Sequence, residues 1–122
     1  MSFWSGEKVL VTGGGGFIGS HLVERLLEVE AKVRIADDLK RRTRNNLEAV
    51  ERDVELITGD LADPEICTKV CQNMDIVMHL AAKIRGIDYN VKHHGEIFFP
   101  NTLMNLLMME AARQEGMERY LS

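Results

Sequence analysis

Short continuous apolar runs alternate along the chain with longer stretches in which apolar residues recur at helical spacing. The runs predict five buried strands, over residues 8–12, 32–36, 54–58, 75–80 and 118–122. The periodic stretches predict helices over residues 18–30 and 96–114, a short helix near 47–51 and another from Asp63 that carries both cysteines. Strands that alternate with helices indicate a parallel sheet covered on both faces. Because such crossovers are right-handed, the pattern favours an open, doubly wound α/β sheet with strand order 3-2-1-4-5.

Particular residues mark where two of these helices begin and end. Asp63 is suited to cap a helix N-terminus, and Pro64 fits the first helical position. Gly116 is a natural end for the last helix, and Pro100 predicts a bend within that helix.

A run of glycines joins the first strand to the first helix, at the place where a doubly wound sheet binds its ligands. Gly13, Gly16 and Gly19 follow the spacing G-x-x-G-x-x-G. The first lets the chain turn sharply, the second lets a pyrophosphate approach the helix N-terminus, and the third lets the helix pack closely on the sheet. This context predicts the dinucleotide-binding turn of a Rossmann-type sheet. A P-loop is excluded because Ser20 and His21 stand where it has Lys and Ser or Thr.

An acidic residue at the end of the second strand bears on which dinucleotide binds. Asp37 lies 18 positions after Gly19, close to the expected spacing of about 20. Its carboxylate would accept hydrogen bonds from the adenosine ribose hydroxyls and repel a 2′-phosphate, so the sequence favours NAD over NADP. The basic residues just beyond it are either a solvated loop, which we prefer, or a clamp for the 2′-phosphate of NADP. These residues are Lys40, Arg41, Arg42 and Arg44.

Composition and charge narrow the class of protein. The chain has 122 residues, enough for one domain, and 45% of them are hydrophobic, enough for a core. A net charge of −4 argues against a protein that binds nucleic acid through phosphate contacts. No apolar run approaches the roughly 18 residues of a membrane span, and residues 1–8 do not resemble a signal peptide. Cys67 and Cys71 suit two reduced thiols on one helical face. We therefore expect a soluble, cytoplasmic, single-domain protein.

Four short motifs make the interpretation more specific. Residues 12–22, TGGGGFIGSHL, resemble the opening of the extended short-chain dehydrogenase/reductases, the NAD-dependent epimerase/dehydratase family. Residues 37–39 resemble that family's ribose-binding Asp-Asn-Leu, residues 59–61 its adenine-contacting Gly-Asp-Leu, and residues 79–82 its His-x-Ala-Ala at the end of the fourth strand. The resemblance covers essentially the whole chain and implies a Rossmann-type NAD-binding domain.

The resemblance also implies which residues contact the cofactor. Asp60 would hold the adenine amino edge, and Leu61 would pack on the ring. Residues 80–82 would line the ribose and phosphate groups, or would serve only to pack the strand end. Thr12 is expected to satisfy the turn through its hydroxyl rather than to bind a ligand. The full cofactor-binding set comprises Gly13, Gly16, Phe17, Ile18, Gly19, Asp37, Asp38, Leu39, Asp60, Leu61, Leu80, Ala81, Ala82 and Lys83.

The segment after the fourth strand resembles the GDP-sugar branch of the family, represented by the GDP-L-fucose synthases. Residues 82–87, AKIRGI, followed by Asn90 and Asn101, carry this resemblance, with Arg85 in place of a glycine of that pattern. The resemblance would put Asn101 on the nicotinamide side of the site. The alternative is a helix residue whose side chain satisfies the backbone.

The family's chemistry needs a Tyr-x-x-x-Lys pair, in which the lysine lowers the pKa of a tyrosine that moves a proton. The two tyrosines of this chain are Tyr89, with His93 four positions later, and Tyr120, near the end. We therefore interpret the chain as the NAD-binding portion of a nucleotide-sugar epimerase or dehydratase, without the substrate domain and inactive alone. The alternative is a stand-alone, non-catalytic dinucleotide-binding or regulatory module. The glycine spacing disfavours a methyltransferase.

Residues 101–114 predict a helix that is apolar almost all the way round, whereas a helix that covers one face of a sheet needs only an apolar stripe. In the family that the chain resembles, the equivalent helix joins an intersubunit four-helix bundle. We therefore expect a homodimer or larger assembly through this helix. The alternative is that Met104, Met108 and Met109 all pack within one subunit.

Overall fold

The computed structural model describes residues 3–39, 45–81 and 94–121, with the backbone alone for 94–100. In these ranges five strands form one parallel sheet: β1 (Lys8–Thr12), β2 (Lys32–Asp37), β3 (Glu55–Thr58), β4 (Ile76–His79) and β5 (Arg119–Leu121). The other elements are helices α1 (Phe17–Glu28), α2 (Pro64–Cys71) and α3 (His94–Gln114) and a 3₁₀ turn (Glu51–Asp53). The strand order is β3-β2-β1-β4-β5, which confirms the doubly wound sheet predicted from the alternation of strands and helices.

Helices cover the sheet on both faces, and this explains why its strands are apolar runs rather than alternating ones. In β1, Val9, Leu10 and Val11 are all fully buried. Successive side chains of a strand point to opposite faces. Val9 and Val11 accordingly join the core layer that contains Val23 and Leu26 of α1. Leu10 joins the layer formed with α2 and α3.

The register of the sheet aligns the carboxyl ends of its strands at one edge. Thr12 at the end of β1 is paired with Ala36 of β2 and with His79 of β4. Asp37 is paired with Thr58 at the end of β3. The chain moves outward from β1 in both directions, so the switch point of the topology lies between β1 and β4. Residues that follow these strand ends are thereby brought to one edge of the sheet, where ligands of such sheets bind.

The predicted ends of the helices are confirmed where a specific cap was identified. Asp63 accepts a hydrogen bond on Oδ1 from the Glu65 N–H at 2.9 Å, and Pro64 is the first residue of α2. Gly116 has a φ of +70° just after α3, and the next N–H, that of Met117, returns to the Ala112 carbonyl. The helix α3 includes Pro100; the bend predicted there stays a prediction.

The short helix predicted near residues 47–51 is misplaced, because the helical residues of this segment are Asn45 and Asn46. Residues 47–50 form turns, and a 3₁₀ turn follows over Glu51–Asp53. Leu47 and Val50 are buried, so the apolar spacing that indicated a helix serves instead to anchor this segment in the core.

Candidate functional site

The glycine turn lies at the switch point, and two of its glycines are required by close approaches of backbone atoms. Gly13 has a φ of +70°, and a Cβ there would lie 2.9 Å from the Cα of Ala81. A Cβ on Gly19 would overlap the Gly13 carbonyl oxygen, so α1 packs on the turn through a bare backbone. At Gly16 the nearest atom to such a Cβ would be 3.4 Å away, a tolerable contact. The need for glycine at position 16 is therefore not one of packing.

The N-terminus of α1 is left open for an anion. Its N-cap residue, Gly16, offers no side chain, and no side-chain cap or first-turn acidic residue is present in this described part of the chain. The first N–H groups of a helix have no partner within the helix, and its dipole favours negative charge at this end. Phe17 and Ile18, the first two residues of α1, are 77% and 72% exposed. A helix start of this kind can bind a phosphate group.

Thr12 and His79 join the ends of β1 and β4 beside this turn. Thr12 Oγ1 accepts hydrogen bonds from the Leu80 and Ala81 N–H groups at 3.0 and 3.1 Å. It also lies 2.7 Å from His79 Nδ1. Because the hydroxyl oxygen already accepts twice, its proton is donated to Nδ1, so His79 is neutral with its own proton on Nε2. Burial lowers the pKa of His79, which agrees with the neutral form. The hydroxyl of Thr12 has its partners at the end of β4, whereas the sequence predicted that it would satisfy the glycine turn.

Asp37 is the acidic residue that the sequence predicts at the end of β2, and it lies against the glycine turn. It is 7% exposed. Its Oδ2 accepts from the Gly15 N–H at 3.0 Å, and its Oδ1 accepts from the Leu39 N–H at 2.9 Å. Each carboxylate oxygen keeps a second acceptor position for a hydroxyl. Asp38, the next residue, is exposed.

The segment after β3 reaches the same edge. The Gly59 N–H donates to the Asp37 carbonyl at 3.2 Å, and Asp60, which is exposed, accepts from the Ala62 N–H at 2.9 Å. Leu61 is only 4% exposed and packs in the core, so little of its side chain is left to contact an adenine ring. The Cys67 thiol donates to the Leu61 carbonyl at 3.1 Å. Nothing in the local sequence marked this contact.

Of the remaining predicted cofactor contacts, the structure describes only part. Leu80 is 38% exposed, and Ala81 lies close to Gly13. Ala82 and Lys83 lie outside the described residues, as do the basic residues from Lys40 to Arg44 and the GDP-sugar motif with Arg85 and Asn90. The cofactor contacts assigned from the resemblance stay predictions.

Three described side chains that could take part in a reaction, Cys67, Cys71 and Tyr120, have raised pKa values. Burial raises the pKa of Cys67 to about 11 and that of Cys71 to about 12, and both are free thiols. Burial likewise raises the pKa of Tyr120 to about 12, and its hydroxyl donates to Asn105 Oδ1 at 2.9 Å. Activation of a tyrosine for proton transfer needs the opposite shift. Asn101 is half-buried, and its predicted nicotinamide contact stays untested.

Metal sites and membrane-spanning helices are absent from the described ranges 3–39, 45–81 and 94–121. Within them, no group of three His, Cys, Asp or Glu side chains is placed to hold a metal ion. No described helix combines the length and the apolar character that a membrane crossing requires.

Comparison with known proteins finds a matching family model and similar sequences. Residues 9–122 match the model of the NAD dependent epimerase/dehydratase family. GDP-mannose 3,5-epimerase 1 of Oryza sativa subsp. indica is 35% identical over 120 residues, which cover 97% of this chain and 31% of that protein. This similarity agrees with the GDP-sugar resemblance. The chain thus spans about a third of the length of the curated relatives that it matches.

Solved structures agree with the sequence comparison. An epimerase from Methanothermobacter thermautotrophicus is similar with a TM-score of 0.84 and 34% identity, over 96% of this chain and 34% of that one. The UDP-glucose 4-epimerase of Thermus thermophilus, solved in complex with NAD, is similar with a TM-score of 0.80 and 36% identity. That match covers 93% of this chain and 36% of the other.

Proposed function

Because the chain belongs to the NAD dependent epimerase/dehydratase family, we propose that it binds NAD for a nucleotide-sugar epimerase or dehydratase reaction. The observation that carries the proposal is the open start of α1 beside the buried Asp37. A helix N-terminus without a cap accepts a pyrophosphate, and a carboxylate at the next strand end accepts ribose hydroxyls.

The residues present fit this cofactor. Gly13 and Gly19 bring β4 and α1 so close to the turn that a side chain at either position would collide with backbone. The pyrophosphate would be held by N–H groups at the start of α1, and the adenosine ribose by Asp37. When bound, the nicotinamide would accept hydride from a sugar carbon or donate hydride to it. The chain's own contribution is to bind and orient the cofactor.

We further propose that NAD is preferred over NADP. Asp37 places a negative charge at the end of β2, where a 2′-phosphate would be brought close to it. For the complete protein we propose a GDP-sugar as substrate, supported by the motif at residues 82–87 and by the similarity to GDP-mannose 3,5-epimerases. Cytoplasmic localisation, supported by the two free thiols, remains a proposal as well.

The test is a titration of the 122-residue chain with NADH and with NADPH, followed by calorimetry or by cofactor fluorescence. We expect NADH to bind and NADPH to bind more weakly. The variant Gly16→Asp should lose NADH affinity by about tenfold or more, because its carboxylate would face the pyrophosphate. The same carboxylate caps α1, so the free energy of unfolding should change by only about a few tenths of a kcal/mol.

The matched control is Gly16→Asn, which has nearly the same shape and capping ability as Gly16→Asp but no charge. The affinity difference between the two variants therefore measures repulsion at the pyrophosphate position. Failure of the unaltered chain to bind NADH would overturn the proposal, and so would a Gly16→Asp variant that binds NADH normally. Equal affinity for NADPH would overturn only the preference assigned to Asp37.

A further inference from the structure

The side chain of Asn46, which lies outside the glycine turn, is hydrogen-bonded to this turn. Asn46 Nδ2 donates a hydrogen bond to the Gly15 carbonyl oxygen at 2.8 Å. The Gly15 N–H donates to Asp37 Oδ2 at 3.0 Å, and Gly15 is itself buried. The peptide groups on both sides of the Gly15 Cα are therefore fixed by side chains from elsewhere in the sequence.

The peptide group held by Asn46 is the one that leads directly into α1. Its carbonyl belongs to Gly15 and its N–H to Gly16, the N-cap residue of the helix. That N–H donates to the Gly13 carbonyl at 3.0 Å, so both ends of this peptide group are bonded. Residues 13–16 are all glycine and have little conformational preference of their own. The orientation of the turn must therefore come from such bonds.

The direction of this peptide group matters for an anion. A phosphate is attracted by N–H groups and repelled by carbonyl oxygens. The amide of Asn46 fixes the direction of the Gly15 carbonyl by donating a hydrogen bond to it. If the amide were absent, that carbonyl would lose its partner, and the direction of the peptide group would depend on the bond from the Gly16 N–H to the Gly13 carbonyl alone.

The position of Asn46 is set by its neighbour rather than by its own burial. Leu47 is 3% exposed and anchors the segment in the core layer of α1. Asn46 is exposed overall, so its own contribution to the core is small. A change of its side chain should consequently leave the fold in place.

Building on the proposed function, we propose that Asn46 is a positioning residue for the cofactor pyrophosphate. It acts through Gly15, without a ligand contact being needed. Together with Asp37 it makes the glycine turn rigid, so that the open end of α1 is presented with its N–H groups toward the pyrophosphate.

The test compares the unaltered chain with Asn46→Ala and Asn46→Asp. The Asp variant keeps the shape of the side chain and removes the N–H donor. Affinities for NADH and ADP, which carry the pyrophosphate, and for adenosine, which does not, would be measured by NMR titration. Asn45→Asp is the matched control, since it adds the same charge one position away on an exposed residue.

We expect both Asn46 variants to lose affinity for NADH and ADP by about three- to tenfold, the equivalent of one hydrogen bond. Adenosine affinity should change by less than about twofold, and Asn45→Asp should bind like the unaltered chain. The backbone amide resonances of Gly15 and Gly16 should shift in both Asn46 variants without any ligand.

Other results would overturn the inference. These are unchanged NADH affinity in Asn46→Ala, an equal loss for adenosine and ADP, or an equal effect of Asn45→Asp and Asn46→Asp. If the unaltered chain failed to bind NADH and ADP, the proposed function would fall and this inference with it. Normal binding by all variants would overturn the inference alone.

Discussion

At the scale of single residues, the polar side chains at the carboxyl ends of the strands are hydrogen-bonded to neighbouring groups. Asp37 accepts from two backbone N–H groups, and Thr12 accepts from two others while it donates to His79. These bonds restrict the motion of the Asp37, Thr12 and His79 side chains. Preorganised polar groups lose less entropy when a ligand binds.

The bond between Thr12 and His79 predicts how stability depends on pH. Burial lowers the pKa of His79 in the folded chain, whereas the unfolded chain has the ordinary value of about 6.5. Below that pH the unfolded state binds more protons, so His79 contributes its full stability above about pH 6.5 and loses it as the pH falls. Protonation also puts a second donor against the Thr12 hydroxyl.

This pH dependence can be measured with urea unfolding between about pH 8 and about pH 5, a range that brackets the ordinary histidine pKa. His79→Asn is the reference variant, because an amide oxygen can accept the Thr12 hydroxyl proton but does not titrate in this range. We expect the free energy of unfolding of the unaltered chain to fall more steeply toward low pH than that of His79→Asn. Parallel curves would contradict the role assigned to His79.

The glycine spacing and Asp37 could be predicted from the sequence, since a local motif carries each of them. Asn46 could not, because its partner lies 31 positions away and an exposed asparagine between a basic stretch and an apolar residue has no distinctive pattern. The contact from Cys67 to the Leu61 carbonyl is local, since the two residues lie six positions apart, but a cysteine on an apolar helical face gives no sign that its thiol donates a hydrogen bond.

At the scale of elements, β1 could be located from the sequence because its apolar run lies between charged residues and glycines. The strand order followed from the alternation of strands and helices with right-handed crossovers. β1 has the predicted bounds, and the ends of the other elements differ by a few residues. The helix predicted at residues 47–51 was misplaced because an apolar pair three residues apart fits a turn as well as a helix. The pattern identified the side chains of this segment that are buried, but not its backbone conformation.

The contact between α1 and the glycine turn predicts that two glycine substitutions differ greatly in their effect on the free energy of unfolding. Gly19→Ala should destabilise the chain by about 3 kcal/mol or more, because its Cβ would overlap the Gly13 carbonyl oxygen and displace α1. Gly116→Ala meets no atom within 4 Å but keeps a φ of +70°, so it should cost only about 1 kcal/mol. Urea unfolding of both variants measures the difference, and similar losses would contradict the packing argument.

At the scale of the whole molecule, α3 has two faces with different surroundings. Met104 and Met108 are buried in the core with Ala111 and Ala112. Leu106 and Met109 are 59% and 48% exposed. The sequence indicated an apolar helix but could not tell which methionine was buried, since helical spacing alone does not locate the sheet. Met108, which is fully buried, is therefore a core residue and unsuited to testing assembly.

The exposed face of α3 supports the proposal that the chain forms a homodimer or larger assembly through this helix. Sedimentation at micromolar concentration should show an assembly, and the double variant Leu106→Lys/Met109→Lys should be a folded monomer, because two charges would have to be buried at the interface. Leu121→Lys is the control, since Leu121 is a similarly exposed apolar residue on β5, at 50%. If Leu121→Lys dissociated the assembly while the α3 variant left it intact, association would run through the β5 edge instead. A monomer in the unaltered chain would refute assembly through either surface.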